Sequence, residues 1–209
     1  MKLVEMTVNE YLDVLKSDAP APGGGSVSAL AGAQGAGLLM MVCDLTTGKE
    51  KYADYQEICV QAKTQAAALQ EALTEAIDKD TEAFNLVSAA FKMPKGSDEE
   101  KRARSQAIAE GTLVATEVPY SVMTLAYEGL QEVKNILGKF NTNAASDLGV
   151  AVLNLMTCIK GAWLNVKINL PGVKDEAKKR VFQEEGESLV RDAEKLADEL
   201  YLEIAKSLE

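Results

Sequence analysis

The chain has no histidine among its 209 residues. That absence excludes Ser-His-Asp and Cys-His nucleophilic chemistry, histidine-type zinc sites and the Glu-x-x-His di-iron bundle. Acid–base chemistry is left to Asp, Glu, Lys, Tyr or Cys. Cysteine is scarce as well. Cys43, Cys59 and Cys158 are odd in number, widely spaced and without a Cys-x-x-Cys pair. Such usage predicts reduced thiols and a cytoplasmic location. The opening Met1-Lys2-Leu3-Val4-Glu5 lacks the apolar core of a signal peptide. Basic residues are outnumbered, 22 Lys and Arg against 32 Asp and Glu, for a formal net charge of −10. No Lys/Arg run is available to follow a phosphate backbone or an anionic bilayer, so neither nucleic acid nor membrane is an expected partner.

Strand patterning is also missing. What is present is helical periodicity, in six segments: 7–16, 26–44, 51–92, 97–137, 146–170 and 175–207. The expectation is an all-α fold, a single-domain bundle of about six helices spanning 1–209. The second segment is rich in small residues: Ala29, Ala31, Gly32, Ala33, Gly35, Ala36 and Gly37. Each interior glycine costs roughly 1 kcal/mol against alanine. Close helix–helix approach, within the fold or across subunits, is the expected compensation. At about 30 Å this segment matches a membrane span in length. Gln34 and the lack of flanking basic residues favour a buried central helix instead. The fourth segment opens on the capping box Ser97-Asp98-Glu99-Glu100 and holds Pro119, where a kink is expected.

Four constellations are candidates for chemistry. Asp80 continues the apolar stripe Leu73, Ala76 or Ile77, Asp80, Ala83 or Phe84, Val87, while Asp78 and Glu82 turn to solvent. A carboxylate on a core stripe is costly unless paired or functional, and burial raises its pKa towards a useful acid–base range. The competing reading is a salt bridge to a Lys or Arg of another helix. The turn Pro20-Ala21-Pro22-Gly23-Gly24-Gly25-Ser26 allows close ligand approach at a helix start. It matches neither a P-loop nor a dinucleotide fingerprint. Its competing reading is a plain helix start with Ser26 as N-cap. The polar cluster Asn141-Thr142-Asn143-Ala144-Ala145-Ser146-Asp147 leads into an apolar helix, which Ser146 or Asp147 can cap. Its amides suit the edge of a heterocycle. Asn165 and Asn169, four apart, share one face of the same helix. Surface polarity is their alternative.

These segments, in order along almost the whole chain, resemble the folate cyclodeaminase/cyclohydrolase family. The resemblance is carried by Pro20 through Ala29, Asp78 through Phe84, Asn141 through Ala151, and Asn165 through Leu170. It implies a helical homodimer that acts on tetrahydrofolate one-carbon units without metal or further cofactor. One branch closes 5-formiminotetrahydrofolate to 5,10-methenyltetrahydrofolate with loss of ammonia, in histidine catabolism. The other opens the methenyl bridge with water to give 10-formyltetrahydrofolate. The deaminase branch is the leading expectation here, and a non-catalytic folate-binding scaffold is the rival from another class. Asp80 matches the family's catalytic carboxylate, with Asp147 in reserve. Pro22, Gly23, Gly24, Gly25, Ser26, Asn141, Asn143, Ser146, Asn165 and Asn169 are the implied substrate contacts.

Overall fold

The computed structural model describes residues 2–208. It contains six α-helices: α1 (Val8–Leu15), α2 (Gly24–Thr46), α3 (Gln56–Lys92), α4 (Asp98–Ile136), α5 (Ala145–Asn169) and α6 (Glu176–Lys206). Short 3-10 turns precede α1, α3, α5 and α6, and no strand occurs among the described residues. The helix starts follow local chemistry. Thr7 and Glu10 form a reciprocal capping box on α1, Ser97 and Glu100 another on α4. Asp175 caps α6 by accepting from the N–H groups of Ala177 and Lys178, both at 3.0 Å.

The all-α bundle is built on α2, which lies against α3 on one side and α5 on another. Small residues make this packing close. A Cβ on Gly32 would sit 2.7 Å from Cys158 Sγ, and one on Gly35 2.8 Å from Leu155 Cγ. The glycines of α2 therefore answer a need inside one chain. Gly24 faces Asn165, Gly32 faces Cys158 and Leu45 faces Asn141, so α2 and α5 run antiparallel. Leu39, Val42, Leu155 and Ile159 fill the contact and are fully buried. Cys43 and Cys158 are fully buried here too, and burial pushes both thiols up to about 12. They are protonated packing groups.

Three local expectations need correction. The second helix starts at Gly24, with Gly23 as its N-cap, and Ser26 stands inside its first turn. The fifth helix starts at Ala145 behind Ala144, so neither Ser146 nor Asp147 caps it. A 3-10 turn, Thr142–Ala144, feeds directly into α5, and Asn141 caps that turn by accepting from the Asn143 N–H. Asp78 does not simply face solvent: it accepts from the Leu3 N–H at 2.6 Å and ties the N-terminal turn to α3. Pro119 lies buried within α4, which continues across it.

Candidate active site

The first turn of any helix leaves N–H groups without an intrahelical partner. In α2 one of these is satisfied from another helix. Ser26 N–H donates to Asp80 Oδ2 of α3 at 2.9 Å. Ser26 Oγ lies 2.8 Å from the Ile77 carbonyl and 3.1 Å from Asp80 Oδ2, so its proton serves either acceptor. Asp80 thus plays the part for α2 that Ser26 was expected to play. It also brings negative charge to a positive helix end.

Each glycine of the turn meets a different neighbour. A Cβ on Gly25 would collide with the Asp80 carboxylate. One on Gly24 would touch the Asn165 carboxamide at 3.4 Å, and one on Gly23 would meet nothing within 4 Å. The Ala21–Pro22 peptide is cis, and Pro22 is buried behind the turn. The glycines form one wall of a cleft of about 270 Å³, which also takes in Asp80, Phe84, Asn165, Ile168 and Asn169.

Asp80 makes no ion pair among the described residues. Burial pushes its carboxyl above the ordinary value of 3.8, and the two Ser26 hydrogen bonds only partly offset this. Only Oδ2 is held by Ser26; Oδ1 accepts no hydrogen bond among the described residues. A partly desolvated carboxylate with one oxygen held and one free can take up and return a proton. The two asparagines flank it from α5. Asn165 Nδ2 donates to the Gly161 carbonyl and Asn169 Nδ2 to the Ala115 carbonyl, each at 2.8 Å. These bonds fix the carboxamides and leave their oxygens open to a ligand. No three acidic or cysteine side chains converge as a metal-binding group among the described residues.

The structure therefore brings together Asp80, Gly23, Gly24, Gly25, Asn165 and Asn169, with Ser26 behind Asp80. It does not bring the other cluster there. Ser146 and Asp147 stand at the opposite end of α5, about 28 Å from Asn165 at 1.5 Å per residue. Asn143 and Ser146 are exposed. Asn141 is buried and committed to the fold: Nδ2 donates to the Leu45 carbonyl at 3.0 Å, while Oδ1 accepts from Tyr52 Oη at 3.0 Å and from Asn143 N–H at 3.2 Å. Sequence reading overlooked Phe84 as a cleft residue. One turn beyond Asp80 and 41% exposed, it offers an aromatic face where the stripe had suggested a core contact.

The sequence pattern of the formiminotransferase-cyclodeaminase family matches residues 7–188, from the cap of α1 into α6. The chain belongs to that family. The methenyltetrahydrofolate cyclohydrolase of Methylorubrum extorquens is 39% identical over 93% of this chain and 94% of its own length. The formimidoyltransferase-cyclodeaminase of Sus scrofa is 34% identical over 91% of this chain, which spans 35% of that longer protein. The crystal structure of formiminotetrahydrofolate cyclodeaminase from Thermotoga maritima superimposes with a TM-score of 0.79 at 25% identity, covering 97% of this chain and 96% of that one. This is a family of folate one-carbon enzymes, and the cleft described above lies wholly inside the matched region.

Proposed function

We propose that the chain hydrolyses 5,10-methenyltetrahydrofolate to 10-formyltetrahydrofolate, with Asp80 as the acid–base group. The observation that carries this reading is a buried carboxylate with one free oxygen, unpaired by any cation, on a glycine-walled cleft. The methenyl bridge carbon lies in a cationic N–C–N unit. A carboxylate beside it stabilises that charge and removes a proton from the attacking water. The C–N5 bond of the adduct then breaks, and N5 takes the proton from Asp80. The formyl group stays on N10. Phe84 and Ile168 supply apolar surface for the flat reactant, and the Asn165 and Asn169 oxygens supply acceptors. The scheme uses no metal or second cofactor and suits a cytoplasmic enzyme.

Sequence features alone placed cyclodeamination ahead. The 39% identity to a cyclohydrolase over nearly its whole length moves the preference to hydrolysis. Cyclodeamination is the second reading, supported by the Thermotoga maritima fold match. There Asp80 takes the N10 proton as N10 attacks the formimino carbon and returns it to the departing nitrogen. Purified protein offered each folate, followed by absorbance of the methenyl form, separates the two. Binding without turnover supports a scaffold, and neither turnover nor binding overturns the folate reading.

A homodimer belongs to this proposal. The outward sides of α2 and α5 leave Val27, Met41 and Leu45 exposed beside Val150, Leu153, Leu164 and Ile168. Charges on these helices turn elsewhere: Asp44 pairs with Lys63 and Lys160 with Glu194. A chain of net charge −10 associates with itself most readily through such an uncharged strip. A two-fold axis near Thr157 sets the two α5 helices antiparallel. The partner subunit's Asn143, the partner subunit's Ser146 and the partner subunit's Asp147 then approach this chain's Asn165 and Ile168, and the split motif becomes one site.

A further inference from the structure

The N-terminal turn Leu3–Glu5 and α1 lie over α2 and α3 and roof a second cavity, of about 470 Å³. That volume is in the range of small-molecule sites. Its walls are largely apolar, with Leu3, Leu12, Leu30 and Ile77 among them, and no charged side chain lines it. Tyr11 projects from α1 as a lining residue and is only 8% exposed. Its Oη is a buried polar atom with no hydrogen-bond partner. Buried hydroxyls are almost always paired, because leaving one unpaired forfeits its bond to water. An orphan on a cavity wall is therefore placed to meet something that enters the cavity. Burial and, secondarily, the charge of Asp80 push the Tyr11 hydroxyl up, so it remains a donor. The cavity also receives Gln34 and Gln70, whose carboxamides have no hydrogen bond among the described residues. Ile77 sits one turn before Asp80 on α3, and Leu30 one turn beyond Ser26 on α2. The cavity thus flanks the Ser26–Asp80 contact from the side opposite the cleft's asparagines.

We propose that this cavity seats an uncharged, flat heterocycle with an amide-like edge, namely the pterin ring of the folate. The claim rests on the folate reading given above. Apolar walls take the faces of the ring. Tyr11 Oη donates to a ring acceptor, and the Gln34 and Gln70 carboxamides, which both donate and accept, meet the aminopyrimidinone edge.

The test is calorimetric binding of 5-formyltetrahydrofolate, which keeps the ring, and of p-aminobenzoylglutamate, which lacks it. Full-length wild type, Tyr11→Phe and Gln70→Leu are compared. Both substitutions are expected to weaken 5-formyltetrahydrofolate by about tenfold or more. Neither should alter binding of p-aminobenzoylglutamate. The ligand-free Tyr11→Phe protein is expected to melt at or above the wild-type Tm, since it loses an unpaired buried hydroxyl. A lower Tm marks that hydroxyl as a fold contact and overturns the proposal. So does unchanged affinity in both variants, or equal loss for both ligands. A wild-type protein that binds neither ligand overturns the folate reading itself, and is recognised by that.

Discussion

Gly25 of α2 and Asp80 of α3 share one space: the carboxylate occupies the position where a side chain at residue 25 would begin. The conformational freedom of this glycine is secondary, since no positive φ is recorded in the turn. Its use is the absence of a Cβ, which lets a carboxylate close on the helix start. Gly25→Ala must displace either the carboxylate or the helix. Overpacking of this kind costs about 1–3 kcal/mol. Misplacing a reacting group by an ångström costs on the order of a hundredfold in turnover. Gly23→Ala, with open space around its Cβ, is expected to stay within about 0.5 kcal/mol of wild type. Thermal melts and kcat on the pair check both statements.

Asp80→Asn keeps an acceptor for Ser26 and removes the titrating oxygen. Turnover is expected to fall by about 10²–10⁴, the span ascribed to a positioned acid or base. The circular dichroism spectrum should be unchanged. A wild-type rate in this variant removes Asp80 from the mechanism.

The raised pKa of Asp80 has a sign that can be measured. The folded state favours the protonated carboxyl, so folding is penalised above the folded pKa and not below the unfolded value of 3.8. Asp80→Asn is therefore expected to raise Tm at pH 7, with the gain shrinking as pH falls through the folded pKa towards 3.8. Wild-type kcat should fall with acid at a pKa above that ordinary carboxylate value. Melts across pH and a pH–rate profile test the two halves separately.

Most of the fold was legible because it rests on local rules. Thr7, Ser97 and Asp175 announce helix starts through their own side chains. The start of α2 was misplaced by two residues because its cap comes from α3, and no local pattern reports a partner 54 positions away. Asp80 was legible as a carboxylate on an apolar stripe, but its lack of a cation was not, since that depends on where every Lys and Arg falls. Tyr11 left no signal: a tyrosine on the inward face of a short amphipathic helix looks like ordinary core. The separation of the Asn141–Asp147 cluster from the cleft follows from the length of α5, and it was hidden while motifs were read only by their order.

Asn141 combines four hydrogen bonds through its side chain and backbone, including Thr46 Oγ1 accepting from its N–H at 2.9 Å. Asn141→Ala strands Tyr52 Oη and the Leu45 carbonyl in a buried setting. Unsatisfied groups cost about 1–3 kcal/mol each, so a loss of roughly 2–5 kcal/mol is expected in denaturant unfolding. A variant that loses folate affinity with no loss of stability would instead make this residue a ligand contact.

The two ends of α5 give the sharpest test of the dimer. If each site joins Asp80 of one chain with the Asn143–Asp147 segment of the other, two separately inactive variants complement each other. Asp80→Asn and the double change Asn143→Ala, Asp147→Asn are expected to be inactive alone. Mixed and allowed to exchange, half the dimers are heterodimers, and one of the two sites in each combines intact residues. The mixture should recover about a quarter of wild-type activity. Sites confined to one chain predict no recovery, because each subunit then carries its own lesion. Leu153→Arg, which places a charge on the 49% exposed leucine of the apolar strip, should abolish the recovery and shift the protein to monomer in sedimentation. A double variant of Asn143 and Asp147 that keeps full activity rules the segment out of the site, whatever the oligomer.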